Sequence, residues 1–316
     1  MCGICGIYNF DTQHVQESKL KAMNDQMINR GPDSEGFYLD KNFGMAMRRL
    51  SIIDLEKSNQ PIQNNNRDIS IIFNGEIYNY IELKDELKKE NISYKTEGDT
   101  EIILKLYEKL GERFIQKLIG MFSICIFDKN KKKILIYRDR FGIKPLYYHI
   151  SQNSFHFSSS LFSLKKVLSL KKSKDSFFLY LCFNYFPSQK SVYENVNSLL
   201  PGNLIKIENN KISIEKYYDP FKEKNYIGTE KYNHEIFKKI MNNSISINLR
   251  SDVNLGLMMS SGIDSSIIAN ESSKLKKNLK AYTVNFQDKK DNEGFLASTF
   301  ANELKINHEI INLKED

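Results

Sequence analysis

The chain has 316 residues, of which 41% are hydrophobic and 12% aromatic, so it can bury ordinary cores and is not expected to be disordered. The net charge of +7 comes from lysines scattered in short groups, whereas a nucleic-acid surface shows a concentrated basic stripe. We therefore expect no nucleic-acid partner. The longest apolar runs, such as residues 121–127, are too short to cross a bilayer, so we expect no membrane partner.

The length favours two domains, and the pattern along the chain changes near residue 205. The first part reads as many short strands with a few helices, which indicates an α+β domain built on largely antiparallel sheets. The predicted strands are residues 1–10, 37–39, 45–50, 69–73, 121–127, 133–137, 146–150 and 154–157. The predicted helices are residues 16–29, 80–89 and 100–110.

The second part alternates helices and strands. A hairpin is predicted at residues 205–214, and a polar, turn-rich linker at 219–228. A long helix follows from residue 229, and then come strand 253–258, helix 263–274, strand 281–286, helix 293–304 and strand 308–311. Such alternation indicates a parallel sheet with crossover helices.

The four cysteines are few for a disulfide scaffold and normal for a reducing compartment. No charged segment followed by an apolar segment opens the chain, so no secretory signal is predicted. We therefore expect a cytoplasmic protein, in which Cys5, Cys125 and Cys182 are small buried hydrophobes.

Cys2 offers two reactive groups if Met1 is removed, as is usual before a small residue. The thiol is a nucleophile, and the freed α-amine, with a reference pKa of about 8, can act as the general base. The competing interpretation is a C-x-x-C site with Cys5. No second pair exists, and the two side chains of an extended strand would face opposite sides, so a zinc or redox site is disfavoured.

Six short segments then occur in a fixed order. They are MCGICGI (1–7), RGPD (30–33), RLSIID (49–54), NGEIYN (74–79), GDTE (98–101) and RDRFGIKPLYY (138–148). Together they resemble the class II glutamine amidotransferase domain, whose nucleophile is N-terminal. The resemblance covers residues 1–205 and implies an N-terminal nucleophile fold, an α/β/β/α sandwich in which Cys2 hydrolyses glutamine through a thioester.

Glutamine presents a carboxylate, an ammonium group and a carboxamide, and the resemblance assigns a partner to each. It places Arg49 on the carboxylate, for which a bidentate fork is suited, and Glu76 and Asp99 at the ammonium group. The Asn74 side-chain amide and the Gly75 backbone N–H would form the oxyanion hole. The predicted glutamine-binding set is completed by Leu50, Ile52 and Ile53.

Each of these residues has a simpler alternative. Arg49 could be a surface arginine beside Arg48, and Asn74-Gly75 is the commonest hairpin dipeptide. Glu76 and Asp99 could be solvated or could cap helices. We interpret the run 138–148 as structural or interfacial rather than catalytic.

The segment SSGIDSS (260–266) lies between a predicted strand and helix, where phosphate-binding loops occur. It resembles the pyrophosphate loop, S-G-G-x-D-S, of ATP pyrophosphatase-type synthetases, with Ser261 in place of a glycine. A serine-rich helix cap is the alternative. The resemblance implies phosphate donors at Ser265 and Ser266 and Mg²⁺ at Asp264. The full predicted ATP-binding set is Met259, Ser260, Gly262, Asp264, Ser265, Ser266 and Val284.

The combination of the two parts resembles the glutamine-hydrolysing, class B asparagine synthetases. It implies a glutaminase domain at 1–205, a hairpin and linker at 206–228, and an incomplete α/β parallel-sheet nucleotide-binding domain at 229–316. The implied reaction uses glutamine, aspartate and ATP with Mg²⁺, and ammonia meets a β-aspartyl-AMP intermediate.

Several alternatives stay open at this point. The enzyme could amidate another carboxylate, or the chain could be a glutaminase-only or regulatory paralogue. The family's synthetase domain normally extends further than residue 316, so we interpret the chain as a fragment or a truncated paralogue and expect glutaminase activity at most. A homodimer is also left open.

Overall fold

A computed structural model describes residues 1–222, 230–286 and 293–313. The chain divides into two compact units, Met1–Lys224 and Asn225–Asp316, called the first and second unit below. Residues 223–228 of the predicted linker lie outside the described residues. Among the helices that are described, none combines the length and apolar character needed to cross a membrane.

The described part of the first unit is built on two antiparallel sheets. Its strands are β1 (Gly3–Asn9), β2 (Ser34–Asp40), β3 (Phe43–Arg49), β4 (Ile62–Gln63), β5 (Ile69–Ile77), β6 (Gly120–Asp128), β7 (Lys133–Arg138), β8 (Tyr147–Ile150), β9 (Ser154–Ser158), β10 (Val196–Ser198), β11 (Asn203–Glu208) and β12 (Lys211–Lys216). The first sheet has the order β10-β8-β9-β1-β3-β2, and the second has the order β12-β11-β7-β6-β5-β4. The hairpin β11-β12 pairs with β7 and so is part of the second sheet.

The two sheets face each other across a buried apolar layer. Ile4 and Met45 of the first sheet meet Ile72 and Ile136 of the second in this layer. Because side chains alternate along a strand, Cys5 faces away from it, toward the helices. Cys2 packs against the layer between the sheets, so Cys2 and Cys5 face opposite sides of β1, as the strand pattern predicted.

Helices cover the outer face of each sheet. The helices of the first unit are α1 (Glu17–Asp25), α2 (Tyr80–Lys89), α3 (Asp99–Leu110), α4 (Leu161–Val167) and α5 (Lys174–Phe183). Apolar side chains of α1 and α4 pack on the first sheet, and those of α2 and α3 pack on the second. The predicted α/β/β/α sandwich is therefore confirmed.

Helices α4 and α5 were not among the elements predicted from the sequence. Helix α5 exposes most of its apolar side chains, and only Ser176 is buried on it, so it lacks the one-sided apolar pattern of a packed helix. The prediction that Cys182 is buried is wrong, because it lies on this helix and is exposed, whereas Cys5 and Cys125 are buried as predicted.

The second unit is an alternation of helices and strands. Its described elements are α6 (Glu230–Asn248), β13 (Gly256–Met258), α7 (Ile263–Leu275), β14 (Lys280–Phe286), α8 (Glu293–Glu303) and β15 (Asn307–Leu313). The three strands are parallel, in the order β13-β14-β15, as predicted. Small side chains such as Ala281, Ala297 and Ala301 let α8 pack closely on the sheet.

Candidate active site

A cleft of about 370 Å³ opens in the first unit where β1 begins and where β3 and β5 end. Every residue predicted to bind or attack glutamine lines it, namely Cys2, Arg49, Leu50, Ile52, Ile53, Asn74, Gly75, Glu76 and Asp99. A larger cavity of about 520 Å³ lies at the other end of these strands, beside Tyr8, Asp40 and Phe127, and none of the predicted residues lines it. Volume alone therefore does not identify the site, whereas its nucleophile and charged groups do.

Two hydrogen bonds hold Cys2 directly ahead of β1. Its Sγ accepts a hydrogen bond from the Leu50 N–H at 3.3 Å, and its carbonyl accepts one from Arg30 Nε at 3.1 Å. Burial raises the pKa of the Cys2 thiol, and the Leu50 bond only partly opposes this. A nearby base is therefore needed to form the thiolate. Met1 precedes Cys2 and also lines the cleft.

Arg49 closes one side of the cleft as a buried side chain, only 4% exposed. Its terminal nitrogens donate to the carbonyl oxygens of Ile53, Asp54 and Leu55 at 2.6–3.2 Å and to Asn59 Oδ1 at 3.1 Å. The guanidinium group thus shapes the loop after β3 that carries Leu50, Ile52 and Ile53. The surface-arginine alternative does not fit this burial.

The Asn74-Gly75 dipeptide lies within β5 and not in a turn. Asn74 is paired with Ser123, and Gly75 with Phe122, along the antiparallel ladder to β6. The hairpin alternative is therefore wrong. A Cβ at Gly75 would lie 2.0 Å from the Met121 carbonyl oxygen, so only glycine allows this close approach of the strands.

The acidic side of the cleft consists of Glu76 and Asp99. Asp99 is the first residue of α3, and its Oδ2 accepts a hydrogen bond from the Ile77 N–H at 3.0 Å. Burial raises the pKa of Asp99 to about 7, the Ile77 bond opposes the shift, and the charge of Glu76 adds to it. Burial also raises the pKa of Glu76, against the charge of Lys144. Neither carboxyl is freely solvated. The N-cap of α3 is Gly98, so Asp99 does not act as the helix cap.

Sequence reasoning missed Lys144, which is only 6% exposed and lines the cleft. The Asp139 carboxylate accepts hydrogen bonds from the backbone N–H groups of Ile143 and Lys144, both at 2.9 Å. Arg138 Nε donates to the Lys144 carbonyl oxygen at 2.9 Å. The first residues of the run 138–148 are therefore structural, and they hold its lysine beside the acidic group. A lysine inside this motif was the signal that could have identified it.

The loop of the second unit lies between β13 and α7. Ser265 Oγ is 2.8 Å from Ser260 Oγ, and Ser266 Oγ donates to the Gly262 carbonyl oxygen at 2.9 Å. Asp264 is exposed on the first turn of α7. Ser261, which replaces the expected glycine, is exposed and is not among the residues with positive φ, so a glycine is not required there.

The other two residues predicted for this loop's ligand lie on either side of it. Met259 is buried with Ala281 in the apolar cluster of the second unit, and Val284 is half-buried on β14. In the described part of the chain, no three His, Cys, Asp or Glu side chains are grouped as a metal site. The exposed loop and helix N-terminus fit a phosphate group, and Asp264 offers one carboxylate for an accompanying Mg²⁺.

Comparisons with known families find a separate match for each of the two units. The family model described as a glutamine amidotransferase domain matches residues 1–218, and the model described as asparagine synthase matches residues 237–316. The glutamine-hydrolyzing asparagine synthetase 1 of Bacillus subtilis is 34% identical over 314 residues, which cover 97% of this chain and 49% of that protein. A putative glutamine-hydrolyzing asparagine synthetase 2 of Methanocaldococcus jannaschii is 36% identical, with 94% and 62% covered. The chain thus spans about half to two thirds of the length of these relatives.

The fold has a counterpart among solved structures. The glutamine phosphoribosylpyrophosphate amidotransferase of B. subtilis aligns with 98% of this chain and 65% of its own, at a TM-score of 0.53 and 14% identity. At this identity the likeness concerns the fold alone. With the sandwich, the cleft and the family match in agreement, the chain belongs to the glutamine amidotransferase domain family, and its residues 237–316 match the asparagine synthase model.

Proposed function

We propose that this chain hydrolyses glutamine at Cys2 and that the ammonia serves the ATP-dependent conversion of aspartate to asparagine. The observation that carries the first half is one cleft that contains Cys2, a buried arginine, one buried and one half-buried carboxyl, and the Asn74-Gly75 dipeptide. The second half is supported by the asparagine synthase match to residues 237–316 and by the names of the similar proteins.

Substrate recognition follows from the charges of the cleft. The buried positive charge of Arg49, whose terminal nitrogens hold the loop after β3, attracts the α-carboxylate of glutamine, while Glu76 and Asp99 bind the α-ammonium group. The apolar side chains of Leu50, Ile52 and Ile53 line the same cleft and contact the methylene groups. A ligand that carries both charges and a short apolar stem therefore matches the site.

In the first chemical step, Cys2 Sγ attacks the carboxamide carbon. After removal of Met1, the Cys2 α-amine takes the thiol proton, so that an S–C bond forms and the C=O π electrons move to oxygen. The Asn74 amide and the Gly75 N–H stabilise this oxyanion. Loss of one such donor typically lowers the rate by about 10²–10³-fold.

In the second step, the tetrahedral intermediate collapses. The C–N bond breaks, the α-ammonium group of Cys2 gives its proton to the leaving nitrogen, and ammonia and a γ-glutamyl thioester result. Water, deprotonated by the same amine, then attacks the thioester, which releases glutamate and restores the thiol. Each proton taken up is returned, so the amine ends the cycle unchanged.

In the second unit, Ser260, Gly262, Ser265 and Ser266 would hold the phosphates of ATP, and Asp264 would bind Mg²⁺. We place Met259 and Val284 on the adenine side of the same site. When bound, ATP supplies the activation of the acceptor carboxylate. We also propose domain limits at residues 205 and 228. We further propose a cytoplasmic location, since the four free cysteines agree with a reducing compartment.

The glutaminase half is tested by trapping. The protein is treated with a glutamine analogue that carries an electrophile, digested and mapped by mass spectrometry, and ammonia release is measured in parallel. We expect the label on a peptide that begins at Cys2, no label and no ammonia from Cys2→Ala, and no change from Cys182→Ala, which removes the exposed thiol. Retained Met1, or activity in Cys2→Ala, would contradict the mechanism.

The acceptor is tested by product analysis. The protein is incubated with glutamine, ATP, Mg²⁺ and either aspartate or another carboxylate, and amide products and pyrophosphate are quantified. Asparagine with aspartate alone supports the proposal, whereas an amide of a different acceptor supports the alternative enzyme. Glutamate formation without any amide would contradict the second half of the proposal for this chain and would agree with the expectation of glutaminase activity at most.

A further inference from the structure

Ser159 lies between the strand that carries the nucleophile and the strand that carries the oxyanion hole. It directly follows β9 and is only 2% exposed. Its backbone N–H donates to the Ile4 carbonyl oxygen at 2.8 Å, and its Oγ accepts a hydrogen bond from the Ile4 N–H at 3.1 Å. The same Oγ lies 3.3 Å from Asn74 Nδ2. One hydroxyl therefore contacts β1 of the first sheet and β5 of the second.

One donor and one acceptor at this contact lack a hydrogen-bond partner. Ser159 Oγ accepts from both Ile4 and Asn74, and its own hydrogen has no acceptor among the described residues. In the described part of the molecule, Asn74 Oδ1 is buried without a hydrogen-bond partner. A buried acceptor without a donor typically costs about 1–3 kcal/mol. The Ser159 hydroxyl hydrogen and Asn74 Oδ1 thus both lack a partner, although the two side chains are neighbours.

A half-turn of the Asn74 amide about its terminal torsion removes both defects. It exchanges the amide oxygen and nitrogen, which have nearly the same shape, and leaves the heavy-atom contact in place. The Ser159 hydroxyl can then donate to Asn74 Oδ1 while it still accepts from the Ile4 N–H. Nδ2 then takes the buried position of Oδ1, where its hydrogens have no partner in the described part of the molecule, and because Asn74 lines the cleft they are left for the carboxamide oxygen of a ligand.

We propose that Ser159 is the positioning residue of the oxyanion hole, because its hydroxyl donates to Asn74 Oδ1 and directs Nδ2 to the carboxamide oxygen of glutamine. This inference rests on the proposed glutaminase function. Since Ser159 also bonds to Ile4 in both directions, it holds the oxyanion donor in register with Cys2, which lies two residues before Ile4 and directly precedes β1. Ser159 does not line the cleft, so it acts through Asn74.

The test compares Ser159→Ala with a matched control. Ser158 is equally buried and adjacent, but its Oγ contacts Met27 Sδ and the Ser160 N–H instead of Asn74. Steady-state ammonia release from glutamine gives kcat and KM for each variant. We expect Ser159→Ala to lower kcat about 10- to 100-fold, less than complete loss of an oxyanion donor, with KM changed less than about threefold. Ser158→Ala should keep the kcat of the unaltered chain.

The same substitution in an Asn74→Ala variant distinguishes a positioning role of Ser159 from a general loss of structure. In Asn74→Ala, the Ser159→Ala change should have no further effect on kcat, because the group through which Ser159 acts is gone. Ser159→Cys keeps the side-chain size with a weak donor, and it should show the same fall in kcat if Ser159→Ala does not fold.

The outcomes are distinct. An unchanged kcat in Ser159→Ala or Ser159→Cys, or an equal fall in kcat in the Asn74→Ala background, would overturn the role of Ser159 alone. If the unaltered chain releases no ammonia while it is folded and free of Met1, the proposed function itself fails.

Discussion

Asp99 is a buried carboxyl whose charge opposes folding. Burial, reinforced by Glu76, raises its pKa from 3.8 to about 7. A shift of about 3 units corresponds to about 4 kcal/mol between the protonated and ionised forms, at about 1.4 kcal/mol per unit. Between pH 3.8 and about 7 the folded protein holds this proton more tightly than the unfolded chain does. The free energy of unfolding therefore falls as the pH rises through this range.

Asp99→Asn should remove this penalty. The Asn amide oxygen can still accept the Ile77 N–H, so we expect the variant to be more stable than the unaltered protein by up to about 4 kcal/mol at pH 8 and by less than about 1 kcal/mol at pH 4. Urea unfolding at both pH values measures the difference. The glutamine KM should rise in the same variant, because the ammonium group loses a charged partner.

Two further variants make this measurement decisive. Asp85→Asn removes the same charge from an exposed position of α2 and should not show the pH-dependent gain in stability. Glu76→Gln removes the neighbouring charge and should make the stability of the protein less dependent on pH. An Asp99→Asn protein with the same stability gain at pH 4 and pH 8 would refute the argument from the buried charge.

Three more substitutions test other contacts of the cleft. In Gly75→Ala the new Cβ would lie 2.0 Å from the backbone of β6, which must move. We expect the free energy of unfolding to fall by about 1–3 kcal/mol, with a lower melting temperature, and kcat to fall at least about tenfold. An unchanged melting temperature and kcat would contradict this. Arg49→Lys cannot reproduce the four hydrogen bonds to the loop, so the glutamine KM should rise at least about tenfold, and an unchanged KM would argue against its role. Lys144→Met removes the charge that lowers the pKa of Glu76, so the acid limb of the kcat/KM profile should move to higher pH; a fixed limb would exclude this coupling.

The order of strands and helices could be predicted from short apolar runs and helical spacing. Strands β1 and β5 are buried on both faces and read as short, nearly continuous apolar runs, which indicate buried strands. Helix α5 could not be predicted in this way, because its apolar residues surround the helix instead of forming a stripe. Strand β13 is shorter than predicted, since residues 253–255 continue the apolar pattern without joining the sheet.

The cleft was predictable only from the ordered set of motifs. Asn74-Gly75 reads locally as a turn, and its place within β5 depends on its pairing with Ser123 and Phe122 of β6, far along the chain. The same holds for Lys144 and Ser159, which come from separate loops and are brought to Cys2 by the two sheets. Local patterns contain no record of such tertiary contacts.

The position of Met1 in the cleft has a practical consequence. Met1 directly precedes Cys2 and lines the substrate cleft, although it is 55% exposed and lies ahead of the paired residues of β1, which begin at Gly3. Under the proposed mechanism the unprocessed chain resembles a zymogen, in which cleavage of one peptide bond both unmasks the base and vacates the substrate's space. An affinity tag fused ahead of Cys2 would keep its α-amine in a peptide bond and would occupy the substrate cleft. Recombinant protein for these assays should therefore carry its tag at the C-terminal end.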